Sequence, residues 1–164
     1  MQKRYGLVMV TFLIIFSLAF ASCSKPPMET IAMDVGACAD MLLNTVSFQD
    51  ILTAISDEMV ATLYLIDEQD VTQSKVYVSS GATAEEIAVF EARDSDAARR
   101  IEAAVLQRVA EQQSSFRDYL PAELPKLDDP FVQVRGKYVI LCLSNDNKKA
   151  RTELDKFISQ SSSQ

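Results

Sequence analysis

Carboxylates are the side chains this sequence supplies most freely for chemistry, and they gather at Asp67/Asp70, Glu85-Glu86, Asp94/Asp96 and Asp128-Asp129. Two acids facing each other across a cleft, about 5 to 10 Å apart, could hydrolyse a glycan. Several carboxylate oxygens around one point could hold a hard cation. The spacing favours neither. Adjacent acids at a strand start point to opposite faces, and Asp94 and Asp96 have a sufficient role in neutralising the start of a helix dipole. The calcium-loop pattern D-x-[DN]-x-[DN]-G fails at Ala98 after Asp94 and Asp96, and again at Lys149 after Asn145 and Asn147.

Other chemistries are removed by composition. The chain has no histidine, so no Ser-His-Asp or Cys-His arrangement and no imidazole metal site can be built. Its four glycines, Gly6, Gly36, Gly81 and Gly136, stand alone, too scattered for a phosphate-cradling loop. Tyr77, Phe90, Phe116, Tyr119, Phe131 and Tyr138 lie mostly at core spacing rather than forming a stacking platform. No catalytic residue, metal ligand or cofactor is therefore assigned. A formal charge of −7 argues against nucleic acid, which demands clustered Lys and Arg. The charge is uneven: residues 28–98 hold 14 acids against Lys75 and Arg93, whereas residues 99–164 hold 11 bases against 9 acids. The first half is expected to present an acidic surface, either as solvated helix faces or as a face for a cationic partner.

The N-terminus carries an address. Lys3 and Arg4 precede an uncharged stretch from Tyr5 to Ser22, the order of a secretory signal peptide. It closes in Leu18-Ala19-Phe20-Ala21-Ser22-Cys23, which resembles the lipobox of bacterial lipoproteins, with Phe20 where leucine is usual. The stretch is slightly short of the roughly 20 apolar residues of a membrane span, so cleavage before Cys23 is expected. Two or more acyl chains on Cys23 would then anchor the protein stably in the bilayer. Residues 1–22 are the signal and 23–30 a lipidated tether, made unsuitable for a helix or sheet interior by Pro26 and Pro27. The two remaining thiols, Cys38 and Cys142, sit among apolar neighbours and read as small buried hydrophobes. An oxidising compartment would also permit a bond between them.

The elements that must position these residues fill one domain, residues 31–158. Ile31, Val35, Cys38, Leu42 and Val46 mark one face of a first helix. A second short helix, Ser56 to Tyr64, is capped by Ser56 or Asp57 with Met59 and Leu63 inward. Asp67 to Asp70 forms an exposed acidic turn. Lys75 to Ser79 alternates as a strand. The next segment has capping-box spacing at Thr83 and Glu86, yet Ile87 to Ala92 is rich in strand formers and is read as a strand. Asp94 then starts a long helix to Tyr119 with a core stripe of Ile101, Val105, Val109, Gln112 and Phe116. After a proline-punctuated loop, Phe131 to Val134 and Tyr138 to Leu143 form a hairpin around Arg135-Gly136-Lys137. Both faces of its second strand are apolar, which marks it as central. Asn145 to Asn147 cap a last helix ending near Ile158, and the serine-rich tail, 159–164, is expected to be disordered. A strand pair followed by a helix thus occurs twice, offset by 52 positions with Asp94 on Asp146 and Arg99 on Arg151. The expected fold class is α+β: a two-layer sandwich with a four-stranded antiparallel sheet packed by helices, in the order α-α-β-β-α-β-β-α.

The segment from Ser80-Gly81-Ala82-Thr83 through Glu85-Glu86 to Phe90 resembles a family of small bacterial lipoproteins classed as domain of unknown function 4358. Phe116, Tyr119, Pro125-Lys126-Leu127, and Gly136 with Tyr138 continue the resemblance downstream. It implies a membrane-anchored extracytoplasmic domain and carries no catalytic residues over. Gly81 and Gly136 read as turn residues able to take positive φ. Thr83, Glu85 and Glu86, beside the first of these turns, are the candidate exposed partner-binding residues. The function expected is a non-enzymatic binding domain for an envelope protein or polymer, held on the extracytoplasmic side of the cell membrane through Cys23. The alternatives are a carboxylate-dependent envelope glycan hydrolase and a cation-binding module.

Overall fold

Strands that are apolar on both faces have to be covered on both sides, and this sequence contains two of them. The computed structural model describes residues 32–161. The signal segment, Cys23, the tether and Ile31 lie outside the described residues, as do residues 162–164. The elements run α1 (Val35–Thr45), β1 (Thr53–Ala54), α2 (Asp57–Tyr64), β2 (Val71–Val78), β3 (Glu86–Ala92), α3 (Ser95–Tyr119), α4 (Leu124–Asp128), β4 (Phe131–Arg135), β5 (Tyr138–Leu143) and α5 (Asn147–Ser161). The strands form one antiparallel sheet in the order β1-β2-β3-β5-β4.

The sheet has five strands rather than the expected four. The added one, β1, is two exposed residues pairing Thr53 with Val78 and Ala54 with Tyr77. Two residues cannot display an alternation, so the pattern was silent there. The architecture is also three layers rather than two. Ala88 and Phe90 of β3 pack with Ile101 and Val105 of α3 and with Val60 and Tyr64 of α2. Ile87 and Val89 face the other way, into a second core with Cys38 and Leu42 of α1 and Leu154 of α5. The two strand-pair-plus-helix units are therefore no structural duplication, because α3 and α5 cover opposite faces.

Local chemistry accounts for most element ends. Asp34 caps α1 by accepting from Ala37 N at 2.7 Å, and Asp94 caps α3 by accepting from Asp96 and Ala97 N. All five expected stripe residues of α3 are buried. Gly136 takes φ +60 in the two-residue link between β4 and β5. At the C-terminus α5 continues past Ile158 through Ser161, with the Ser159 and Ser161 hydroxyls donating back to the Lys156 and Phe157 carbonyls. Strand β2 begins at Val71, earlier than Lys75. The exposed Thr72 and Gln73, together with a register shift between Val71 and Gln73, hide its first half from a period-2 reading.

Helix α2 corrects the expectation by one position. Ser56 caps it, accepting from Met59 N at 3.4 Å, but the buried residues are Val60 and Tyr64, while Met59 is 57% exposed and Leu63 only half-buried. Over two turns both pairings satisfy a 3.6-residue period, and what decides is that the Tyr64 hydroxyl reaches a buried partner on β3. The acidic turn after α2 is likewise not wholly exposed. Asp70 is buried, accepting from Arg100 Nε at 2.7 Å and from Arg93 Nη2 at 3.4 Å. Those cations come from α3 and the end of β3, which a local reading cannot bring to it. Val60→Ala should cost about 1 to 3 kcal/mol in urea unfolding, whereas Met59→Ala should stay within about 0.5 kcal/mol. The reverse ranking would mean that α2 is rotated from the position described.

Candidate functional site

Glu85 and Glu86 bring the chain out of the Gly81 turn into β3, and successive side chains there must face opposite sides of the sheet. Both sides are covered. The two glutamates are 1% and 2% exposed, so they are not the exposed acids expected from their loop position. Glu86 faces α2 and α3, where it accepts from the Tyr64 hydroxyl, from Gln112 Nε2 at 2.7 Å and from Arg108 Nη2 at 2.9 Å. Glu85 accepts from the backbone N–H of Gln49 and Asp50 at 2.9 Å, and from the Thr83 hydroxyl at 3.1 Å. Its cationic partner is Lys126, 3% exposed, whose Nζ lies 3.3 Å from Glu85, 2.8 Å from Glu123 and 2.8 Å from Gln49 Oε1. Glu123 also accepts from Ala84 N at 2.8 Å. Every buried side-chain nitrogen and oxygen among the described residues has a partner, as a buried charge requires.

Above this floor the Gly81 turn is pinned at its base. Asp50 accepts from Ser80 N at 2.8 Å and from the Ser80 hydroxyl, and these bonds hold its carboxyl below the usual range. The Ser79 hydroxyl donates to the Thr83 carbonyl at 2.6 Å. Gly81 itself has φ +93, a conformation an L side chain rarely adopts, although nothing occupies the space beside it.

Between this turn, α2 and α3 lies a cleft of about 590 Å³. Met59 and Leu63 supply one wall; Arg108, Glu111, Gln112, Phe116 and Tyr119 supply the other. Thr83, Glu85 and Glu86 all line it, so the three candidate residues do come together. They form a satisfied floor rather than free polar contacts. The accessible apolar surface is instead that of Met59, 57% exposed, and Tyr119, 75% exposed, whose ring leans on Phe116 at 6.4 Å between centroids. Sequence reasoning missed Met59, Arg108, Tyr119 and Lys126 as contributors. One usable signal existed: Gln112, a polar residue within the core stripe of α3, announces a buried acceptor opposite it.

The other carboxylate clusters have structural work. Asp67 accepts from Gln69 N at 2.9 Å, and Asp128 accepts from Gln113 Nε2 at 3.3 Å. Asp94 caps α3, and its carboxyl is held low chiefly by the Ala97 N–H. Among the described residues, no group of three or more His, Cys, Asp or Glu side chains is placed to hold a metal ion, and no helix is long and apolar enough to cross a membrane. Cys38 and Cys142 are free thiols in the same buried core. Burial pushes each up to about 12, with the Asp34 charge adding to the effect at Cys38 and Glu85 adding to it at Cys142 against a lowering bond from Ser144. Neither is a nucleophile at neutral pH.

Two outcomes follow from these pairings. Lys126→Met leaves Glu85 and Glu123 buried without a cation and should cost about 3 to 5 kcal/mol in denaturant unfolding. Adding Glu123→Gln to that variant should recover part of the loss. The thiols set an alkaline limit: above their ordinary value of 9.0 the unfolded chain releases protons that the folded one retains, so stability should fall between pH 9 and about 12. At the acid end Asp50, Asp70 and Asp94, all held low in the folded state, contribute stability that is lost as pH falls below their ordinary value of 3.8. Urea midpoints across the pH range check both limbs, and a flat profile above pH 9 would contradict the burial of the thiols.

Neither a curated protein nor a solved structure matches this chain. A family profile described as Domain of unknown function (DUF4358) matches residues 44–144, more than half of the chain, from the end of α1 to the residue after β5. Every residue lining the cleft falls inside that match. The chain belongs to the DUF4358 family of domains of unknown function.

Proposed function

We propose that this protein is a lipid-anchored, non-enzymatic binding domain. Acylated Cys23 holds it on the extracytoplasmic side of the cell membrane, and the cleft beside the Gly81 turn receives an envelope protein or polymer. The observation that carries the reading is the contrast inside the cleft. Its carboxylates Glu85 and Glu86 are fully occupied by internal partners, while Met59 and Tyr119 are left open to solvent beside them. A site arranged that way offers apolar and aromatic contact area, the kind that anchors partners, while both acids of its floor are already held in ion pairs. The lipobox at residues 18–23, followed by a short tether, supports the location.

The glycan-hydrolase alternative needs two acids facing each other across one cleft. Glu85 and Glu86 both line the cleft, but each is already engaged by a buried or half-buried cation, Lys126 and Arg108 respectively, which counts against it. A cation-binding module would need a carboxylate cluster without internal partners, and the clusters at Asp67/Asp70 and Asp94 are engaged in caps and ion pairs.

Fractionation and site-specific cross-linking test the reading together. The full chain should partition with membranes, and Cys23→Ala should release it or leave it unprocessed. A photo-cross-linker at Tyr119 should give discrete adducts in intact cells, whereas one at Thr152, on α5 behind the opposite face, should not. A diffuse or equal pattern at both positions would overturn the cleft as the binding site.

A further inference from the structure

We propose that the groove between α2 and α3 docks a basic peptide segment of a partner protein, with apolar side chains seated against Leu65, Leu63 and Met59 and a cationic one between Tyr119 and Glu111. This rests on the binding reading above and adds the chemistry of the occupant.

Leu65 is the starting point. It ends α2 at φ +53 and ψ 38, the only non-glycine residue with positive φ among the described residues, and it is 78% exposed. Left-handed backbone costs a leucine about 1 to 2 kcal/mol, and helix ends of this kind usually carry Gly or Asn. Exposure recovers none of that cost, because an uncovered side chain removes no apolar area from water. Strain held at an exposed position points to function. Covering Leu65 with a partner would offset it.

Leu65 also belongs to a longer track. It lines a hollow of about 150 Å³ whose wall residues Leu63, Arg108 and Glu111 are shared with the large cleft. The two hollows thus run along the α2/α3 seam, from Leu65 to the exposed Met59 and Tyr119. A seam with apolar anchors spaced along it suits a peptide that lies in a groove.

Charge selects the kind of peptide. Besides the buried Glu85 and Glu86, the charged residues lining the two hollows are Arg108 and Glu111, and residues 50–70, which include all of α2, add six flanking acids that line neither hollow and no Lys or Arg. Arg108 is engaged by Glu86, and the exposed Glu111 accepts only from the Gln107 amide. An acidic segment or an anionic lipid surface would be repelled here. A Lys or Arg side chain would meet the Glu111 carboxylate and the open ring of Tyr119.

The test uses the full chain in detergent and two fluorescent peptides of about 12 residues, alternating Lys with Leu or Glu with Leu. Anisotropy should report binding of the Lys peptide, weakening as salt rises, and no binding of the Glu peptide. Leu65→Asn and Glu111→Gln should each weaken Lys-peptide binding by about five- to tenfold, while Asp129→Asn, remote from the groove, leaves it unchanged. Leu65→Asn should also raise Tm, since it relieves the backbone strain. Equal binding of both peptides, no binding of either, an equal loss with Asp129→Asn, or a lowered Tm for Leu65→Asn would overturn the proposal. Discrete cross-links at position 119 combined with any of those results would keep the cleft as a binding site and discard the basic peptide as its occupant.

Discussion

One peptide bond sets the terms for this fold: it joins Glu85 to Glu86 at the start of a strand buried on both faces. Two neighbouring carboxylates are sent to opposite sides of a sheet, and each must find compensation away from water. The donors come from distant parts of the chain. Glu86 draws on Tyr64 of α2 and on Arg108 and Gln112 of α3. Glu85 draws on the backbone at residues 49 and 50, on Thr83 and on Lys126. Losing either set would leave a buried charge uncompensated, so the positions of both helices and of two connecting loops are coupled to this one place.

The same pairing shapes the cleft. Because Lys126 also binds Glu123 and Gln49, and Asp50 holds Ser80, the segments around residues 50, 80 and 123 are tied into a fixed rim and floor. The buried polar groups of the floor already have partners. What remains free is the apolar and aromatic surface of Met59, Tyr119 and Leu65, bordered by acids without cations. In the proposed binding role, a floor held by these pairs beneath exposed anchors would leave little to order on docking.

Much of the fold could be read directly from residues. The long α3 with its Asp94 cap and buried stripe, the β4–β5 hairpin around Gly136, and the central place of β5 all follow from strong periodicity or from turn chemistry. The misreadings share one cause. α2 has two nearly equivalent inward faces, β1 is two residues long, and the first half of β2 is an exposed edge, so in each the local pattern is weak and a distant contact decides. Of the candidate site, Thr83, Glu85 and Glu86 were located by their place beside Gly81, but their burial was not, because nothing local shows that Arg108 and Lys126 converge on them.

By itself the sequence determined the longer helices and strands, their main caps, the absence of histidine chemistry and the membership of residues 44–144 in the DUF4358 family. These depend on side-chain type and on spacing within a few residues. Only the tertiary structure decided that helices cover both faces of the sheet, that the paired glutamates are a buried floor, and that Met59, Leu65 and Tyr119 are the surface left open. Burial of a charge is settled by whether donors arrive from distant positions, as Arg108 does for Glu86 and Lys126 for Glu85. Such convergence is a property of packing that no local pattern along the chain encodes.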